Sequence, residues 1–76
     1  MNTITFSQST DDNGVLKFRA MYGGQPLMAD TTNPTVARRV AHQHFERLPY
    51  PRQFVHYDGD TNKETVIQAE TERRRT

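Results

Sequence analysis

The sequence contains no cysteine and no tryptophan among its 76 residues. Without cysteine, disulfides, thiolate zinc sites and a cysteine nucleophile are all excluded. Hydrophobic residues make up only 33% of the chain, and no apolar run approaches the ~18 residues that a membrane-spanning helix needs. The sequence therefore predicts one small domain with a thin core and no membrane segment.

Neither sign of charge dominates, because 10 Lys+Arg stand against 9 Asp+Glu and the net charge is +1. This balance argues against a general nucleic-acid coat and against an acidic nucleic-acid mimic, and it leaves local patches as the places where charge can act. The N-terminal segment MNTITFSQST has neither the basic start nor the apolar stretch of a signal peptide. We therefore expect a cytoplasmic protein.

Alternating apolar and polar residues predict two strands near the N-terminus. The alternation runs over residues 3–8 and again over residues 15–22. Between them, Asn13 and Gly14 favour a two-residue turn with positive φ at both positions, whose twist matches paired strands. These segments predict an antiparallel hairpin.

A third, shorter strand is predicted over residues 25–30. Gly23 and Gly24 supply a second tight turn before it, and Leu27 faces inward. Because Pro26 has no N–H to donate to a ladder, this strand belongs at a sheet edge.

One amphipathic helix is predicted from Pro34 to Leu48. Asn33 or Thr32 caps it, Pro34 suits the first helical position, and Pro49 prevents its continuation. Apolar residues form a stripe along one side: Val36, Ala37, Val40, Ala41, Phe45 and Leu48. Charged and polar residues fill the opposite face: Arg38, Arg39, His42, Gln43, Glu46 and Arg47.

Two further strands are predicted after the helix. Residues 52–58 are rich in aromatic and branched side chains, and residues 63–70 form the last strand. The adjacent pair Val66 and Ile67 leaves the inward face of that strand ambiguous. Residues 71–76 are almost entirely charged and polar, and we expect a disordered tail there.

These elements predict an α+β fold of two layers, in which an antiparallel sheet in the order β-β-β-α-β-β carries one helix on one face. Residues 1–70 form the single domain. The predicted core comprises Ile4, Phe6, Leu16, Phe18, Ala20, Leu27, Val36, Val40, Ala41, Phe45, Leu48, Val55, Tyr57 and Ile67. A core this thin is marginal alone, so a homodimer formed through a sheet edge or the open sheet face is an option.

Two patterns resemble metal sites but lack required residues. Asp58, Asp60 and Asn62 alternate as at the start of a calcium loop, yet Lys63 stands where the sharp-turn glycine is needed. The pattern favours a solvated hairpin loop. His42 and His44 are two positions apart on the helix and point in different directions, so no metal is expected.

The third histidine, His56, is interpreted together with His44. His44 flanks the apolar stripe of the helix, and His56 approaches it from the neighbouring strand. This placement favours a partly buried histidine with a hydrogen-bond partner.

The sequence offers no catalytic constellation. No serine or threonine lies in a strained nucleophile turn, and the paired carboxylates of Asp11 and Asp12 fall in a solvated turn. Gly23 and Gly24 lack the following helix and lysine of a phosphate loop. We expect a non-enzymatic protein without a cofactor.

Basic and aromatic side chains are the remaining candidates for function. Arginine and tyrosine are enriched where proteins bind one another. The ordinary alternative is that these side chains form a solvated helix face and plug the end of the core. The predicted partner-binding residues are Arg38, Arg39 and Arg47 on the helix, Lys17 and Arg19 on the uncovered sheet face, and Tyr22 and Tyr50 near turns.

Over residues 3–70 the layout resembles small phage-encoded proteins that act against the host, such as anti-CRISPR and transcription-takeover proteins. Small size, absence of cysteine, alternating strands with tight turns and a single helix carry the resemblance, which is one of layout. The Asn13-Gly14 turn and the Asn33-Pro34 helix start are generic features, and no motif carries it. It implies a stoichiometric inhibitor that occupies the surface of a host complex in the bacterial cytoplasm, and it transfers no individual site residue.

Two functional hypotheses follow. The first is a protein-binding module, an inhibitor of a host protein or ribonucleoprotein complex that acts through the arginine-bearing helix face. The second is a small nucleic-acid-binding protein that uses Lys17, Arg19 and the helix arginines. Phosphate binding weakens steeply with salt, whereas a protein interface with an apolar centre weakens less.

Overall fold

The computed structural model describes residues 1–71, which form a five-stranded sheet and a helix packed on one side of it. In chain order the elements are β1 (Asn2–Thr10), β2 (Leu16–Tyr22), β3 (Gln25–Pro26), α1 (Pro34–Arg47), β4 (Arg52–Asp58) and β5 (Lys63–Glu70). The α+β layout predicted from the sequence is confirmed. Apart from Thr71, the tail predicted for residues 71–76 lies outside the described residues.

The sheet is mixed rather than antiparallel throughout, which corrects one part of the expectation. Its strands lie in the order β3-β2-β1-β4-β5, and β1 and β4 run parallel while the other neighbours are antiparallel. The chain leaves β3, crosses through α1 and returns at the free edge of β1. Parallel neighbours need such a crossover in place of a tight turn. As a result β1 becomes the central strand.

The turn between β2 and β3 is the tight hairpin that the sequence predicts. Gly23 and Gly24 have φ values of 56° and 85°, which glycine adopts more readily than any other residue. The strand that follows contains only Gln25–Pro26 and is shorter than the predicted 25–30. Leu27 follows the strand, donates its N–H to the Ala20 carbonyl at 2.9 Å and lies half-buried against the core.

The turn between β1 and β2 has a different form from the one expected. Only Gly14 has positive φ (79°), and its N–H donates to the Asp11 carbonyl at 3.0 Å. The Asp11 carboxylate also accepts the N–H groups of Asn13 and Val15, both at 2.9 Å. These bonds favour a type I turn followed by a left-handed glycine over the two-residue Asn-Gly turn.

Helix α1 begins at the cap that the sequence offers. Asn33 Oδ1 accepts the Thr35 N–H at 3.0 Å, and Pro34 occupies the first helical position. After Arg47 the backbone becomes extended at Leu48. With its 14 residues α1 is too short to cross a bilayer, and no helix in the described part of the chain is long and apolar enough to do so.

The core lies between α1 and the helix-facing side of the central strands. Leu27, Met28, Val40 and Leu48 pack around it and are partly buried. Its buried members are Ile4, Phe6, Phe18, Ala20, Ala37, Ala41, Phe45 and Phe54.

Three residues predicted for the core are exposed instead, namely Leu16 (41%), Val36 (41%) and Ile67 (60%). Leu16 lies at the turn end of β2, opposite Thr10. Val36 is rotated by about 100° from the buried Ala37 and therefore points outward. Ile67 belongs to the edge strand β5, whereas α1 packs over β1 and β2 and reaches only part of β4.

The side of β4 that faces the helix is the opposite of the predicted side. In its register with β1, Phe54 and His56 share the helix-facing side with Phe6, so Val55 and Tyr57 lie on the other face. Val55 is still buried and Tyr57 is half-buried. Apolar residues at consecutive positions give no alternation, and the pattern therefore could not fix the inward face.

Candidate functional site

The outer side of α1 carries an exposed stripe of residues three or four positions apart, which therefore share one face. We call it the outer stripe: Val36, Arg39, Gln43 and Arg47. Among residues 1–71, no carboxylate lies within ion-pairing distance of Arg39 or Arg47. Glu46, the acidic residue of α1, lies 3.7 Å from Arg52. The stripe is therefore cationic and includes an exposed valine.

Arg38 does not share that face, which corrects the predicted grouping of three arginines opposite the core. Its guanidinium carbon lies 5.2 Å from the centroid of the Phe6 ring, in a cation–π contact. Arg38 and His42 are four positions apart and lie on the flank of α1 that faces β4. They take this position because the helix sits over β1 and β2, which leaves one of its flanks above the neighbouring strand.

A half-open cavity of about 330 Å³ lies beneath this flank. We call it the Arg38 cavity, and its walls are Phe6, Arg38, His42, Phe54, His56 and Ile67. Phe6 and Phe54 are each only 3% exposed and belong to the core. The lining thus combines an apolar floor with basic side chains and contains no carboxylate.

Two histidines face this cavity. The ring of His42 packs on Phe54 with 4.9 Å between centroids, and the ring of His56 meets Phe6 edge-on at 5.5 Å. His56 Nε2 donates to Gln8 Oε1 at 3.0 Å. His56 is therefore the half-buried, hydrogen-bonded histidine that the sequence predicted. The helical histidine nearest to it across the cavity is His42, where His44 had been expected.

Arg52 is a buried cation at the other end of the helix. Its Nε and NH2 donate to Glu70 at 2.8 and 2.7 Å. Its NH1 donates to the carbonyl oxygens at the end of α1, those of Phe45 (3.1 Å), Glu46 (3.0 Å) and Leu48 (3.2 Å). Burial lowers the pKa of Arg52, but the hydrogen bond and charge of Glu70 outweigh it, so the pKa lies above its ordinary value. These contacts cap the helix and tie it to β5.

Tyr50 and Tyr22 both make contacts within the fold. The guanidinium of Arg52 stacks 4.4 Å from the Tyr50 ring, and its NH2 donates to the Tyr50 hydroxyl at 3.1 Å. Tyr50 is half-buried, and its contacts are with Arg52. Tyr22 is 40% exposed, and its hydroxyl donates to Asn2 Oδ1 at 3.3 Å. Tyr22 is thus the more accessible of the two predicted tyrosines.

Lys17 and Arg19 lie on the sheet face away from α1, because they pair with Ser9 and Ser7 of β1. Arg19 NH1 lies 3.5 Å from Asp30, so its charge is partly offset. A row of paired residues crosses this face from strand to strand, and all but Thr5 are apolar: Met21, Thr5, Val55 and Val66. The predicted basic residues are therefore divided between two opposite surfaces.

The loop of Asp58, Asp60 and Asn62, which resembles the start of a calcium loop, is hydrogen-bonded to the end of β1. Asp60 accepts the N–H of Thr10 at 2.9 Å and its hydroxyl at 2.6 Å, and these bonds lower the pKa of Asp60. Asp58 accepts the Asp60 N–H at 3.0 Å, and the Tyr57 hydroxyl donates to Asn62. Within the described residues, no three His, Cys, Asp or Glu side chains are grouped to hold a metal ion.

The sequence did not single out the Arg38 cavity. Its one available signal was the four-residue spacing of Arg38 and His42, which places them on one flank of a helix. The contribution of Phe54 and His56 depends on the register between β1 and β4.

Comparison of the chain with protein-family models, with curated proteins and with solved structures finds no match.

Proposed function

We propose that this chain is a non-enzymatic protein-binding module that docks on an acidic surface of its partner through the outer stripe. The observation that carries the proposal is the composition of that stripe. Arg39 and Arg47 have no ion pair within residues 1–71, and the exposed Val36 lies about one turn before Arg39. Arginine beside exposed apolar surface is typical of protein interfaces.

The charge of the stripe indicates the partner. Guanidinium groups bind carboxylates through two parallel hydrogen bonds, and Glu46 is engaged with Arg52 rather than with the stripe. An acidic protein surface therefore complements the outer side of α1. Gln43 adds a neutral donor and acceptor between the two arginines.

A protein partner is preferred to nucleic acid because the cations are divided between two surfaces. Lys17 and Arg19 lie on the sheet face away from α1, and Arg19 faces Asp30. One nucleic-acid strand following the helix would meet only the arginines of α1. Nucleic-acid binding proteins usually gather their cations on one face.

In its specific form, the proposal is a phage-type stoichiometric inhibitor of a bacterial protein or ribonucleoprotein complex, acting in the host cytoplasm. Its small size and its single helix on a small sheet support this form. A chain this small presents one helix face and acts by covering a surface of its target.

The test compares a double charge reversal with a matched control. Wild type, the Arg39→Glu/Arg47→Glu variant and Lys17→Glu are each used to capture partners from a bacterial lysate, with and without nuclease treatment. A protein held by wild type is purified, and its affinity is measured for all three forms after circular dichroism has shown that they fold. We expect the double reversal to weaken binding by about 2 kcal/mol or more, and Lys17→Glu to leave it unchanged.

Two results contradict the proposal. One is equal affinity of wild type and the double reversal for the captured protein at low and moderate salt. The other is loss of capture on nuclease treatment together with a steep salt dependence, which supports the nucleic-acid alternative.

A further inference from the structure

We propose that the Arg38 cavity binds a small organic carboxylate with an apolar or aromatic body. This site is separate from the outer stripe, because Arg38 and His42 lie on the flank of α1 that faces β4. The cavity volume of about 330 Å³ is at the lower end of the range found for small-molecule sites.

The charge of the ligand is inferred from Arg38. Its guanidinium carbon lies over the Phe6 ring, 5.2 Å from the centroid, and no carboxylate within residues 1–71 is close enough to pair with it. A cation–π contact does not use up the N–H donors of the guanidinium, so they can still bind an anion. The cavity lining has no acidic member, so a bound anion meets attraction and no opposing charge.

The body of the ligand is inferred from the floor and the open wall. Phe6 and Phe54 are each only 3% exposed and form the floor of the cavity, and Ile67 stands 60% exposed at its edge. A flat or branched apolar group placed there would cover Ile67 and move its own apolar surface out of water. The rings of His42 and His56, which already pack on the two phenylalanines, would line its sides.

A carboxylate suits this geometry better than a phosphate. One guanidinium matches the two oxygens of a carboxylate through parallel hydrogen bonds. Phosphate sites usually add a helix N-terminus or a nest of backbone N–H groups, whereas this cavity meets the middle of α1 and the side chains of two strands.

In the experiment, each probe is titrated into the full chain, and binding is monitored through the amide chemical shifts in heteronuclear NMR spectra. The probes are N-acetylphenylalanine, which carries a carboxylate on an aromatic body, its primary amide, which lacks the charge, and inorganic phosphate. We expect saturable shifts at Phe6, Arg38 and Ile67 with N-acetylphenylalanine and a Kd of about 1 mM or below. The amide and phosphate should each bind at least about tenfold more weakly.

Three variants connect the binding to the cavity. Arg38→Gln should weaken N-acetylphenylalanine binding by about tenfold or more, whereas Arg39→Gln, its neighbour on the outer stripe, should leave it unchanged. Ile67→Ala removes the exposed apolar wall and should also weaken binding. It serves as the second test if Arg38→Gln loses the wild-type dispersion of its spectrum, because an exposed edge residue is dispensable for folding.

The proposal is overturned if N-acetylphenylalanine gives no saturable shifts, or if its amide or phosphate binds as tightly. It is also overturned if neither Arg38→Gln nor Ile67→Ala changes the Kd. None of these results bears on the outer stripe, whose test depends on Arg39 and Arg47.

Discussion

Arg52 shows how one buried charge can serve several neighbours. Its guanidinium donates to three carbonyl oxygens at the end of α1 and to the carboxylate of Glu70. The carbon of the same guanidinium lies 4.7 Å from the centroid of the Phe45 ring and 4.4 Å from that of the Tyr50 ring. A planar fork of five donors meets all these acceptors, which an ammonium group could not do.

We predict that Arg52→Leu lowers the free energy of unfolding by at least about 2 kcal/mol, because the carbonyl oxygens at the end of α1 and the Glu70 carboxylate lose the hydrogen bonds and the charge that Arg52 supplies. Arg52→Lys keeps the charge but loses the planar fork of donors, and its free energy of unfolding should lie between those of wild type and Arg52→Leu. Arg47→Leu is the matched control, since Arg47 is exposed on α1, and it should change stability by less than about 0.5 kcal/mol. Urea unfolding of the four proteins measures this, and an equal loss for both leucine variants contradicts the role given to Arg52.

The start of α1 depends on a single side chain. Asn33 Oδ1 accepts the N–H of Thr35, and the Asn33 N–H itself donates to Thr31 Oγ1 at 3.1 Å. The first helical turn contains no acidic residue that would provide a second favourable contact with its N–H groups. The cap is therefore the main local stabilisation of this end.

We predict that Asn33→Ala lowers the free energy of unfolding by about 1 kcal/mol, and that Asn33→Ser or Asn33→Asp largely restores it, since either oxygen can accept the same N–H. Thr32→Ala, at the exposed preceding position, is the control and should have little effect. Thermal unfolding by circular dichroism compares the set. If the serine and alanine variants melt alike, the hydrogen bond to Thr35 is not what stabilises the helix start.

Some elements could be predicted from the sequence because a local signal decides each one. Asn33 and Pro34 define the start of α1, Gly23 and Gly24 define a hairpin, and alternation defines β1. The inward face of β4 could not be predicted, because Phe54 and Val55 are adjacent and only the register with β1 decides between them.

The candidate sites depend on longer-range information. The outer stripe follows from helical spacing, so Arg39 and Arg47 could be predicted as exposed. The position of Arg38 could not be predicted, because its flank of α1 faces either solvent or the sheet, depending on where the helix lies on the sheet. Arg52 reads as a surface cation in the sequence, and its burial depends on the helix end and on Glu70 coming together in the fold.

Across the whole molecule, two carboxylates join segments that are distant in sequence. Asp60 binds Thr10 across 50 positions, and Glu70 binds Arg52 across 18. The hydrogen bonds from Thr10 and from Arg52 hold the pKa of Asp60 and of Glu70 below their ordinary values. In the folded protein both groups therefore stay ionised to lower pH than in the unfolded chain.

We predict that the protein loses stability in acid. Folding lowers both pKa values, so the unfolded chain takes up protons at a higher pH than the folded protein does. The stabilisation that the two ionised carboxylates provide is therefore fully present above about pH 4.5, and it is lost as the pH falls through the pKa values of the folded state. Unfolding in urea at a series of pH values from 7 downward measures the slope. Glu70→Gln should reduce the slope, whereas Glu64→Gln, an exposed carboxylate on the same strand, should retain it. Equal slopes for Glu70→Gln and wild type contradict the prediction.

The parallel pairing of β1 with β4 also determines the order in which the sheet can be assembled. Residues 2–8 of β1 each meet a partner 50 positions further along the chain, as Asn2 does with Arg52. During synthesis the central strand therefore emerges early and keeps one edge unpaired until β4 follows. The hairpin with β2 and the first turns of α1 need only nearby residues, whereas the second edge of β1 requires a long loop to close, which slows folding. Until then Ile4 and Phe6 lack the cover of Phe54, and a nascent chain at this stage exposes the strand edge and apolar side chains on which chaperones and aggregation both act.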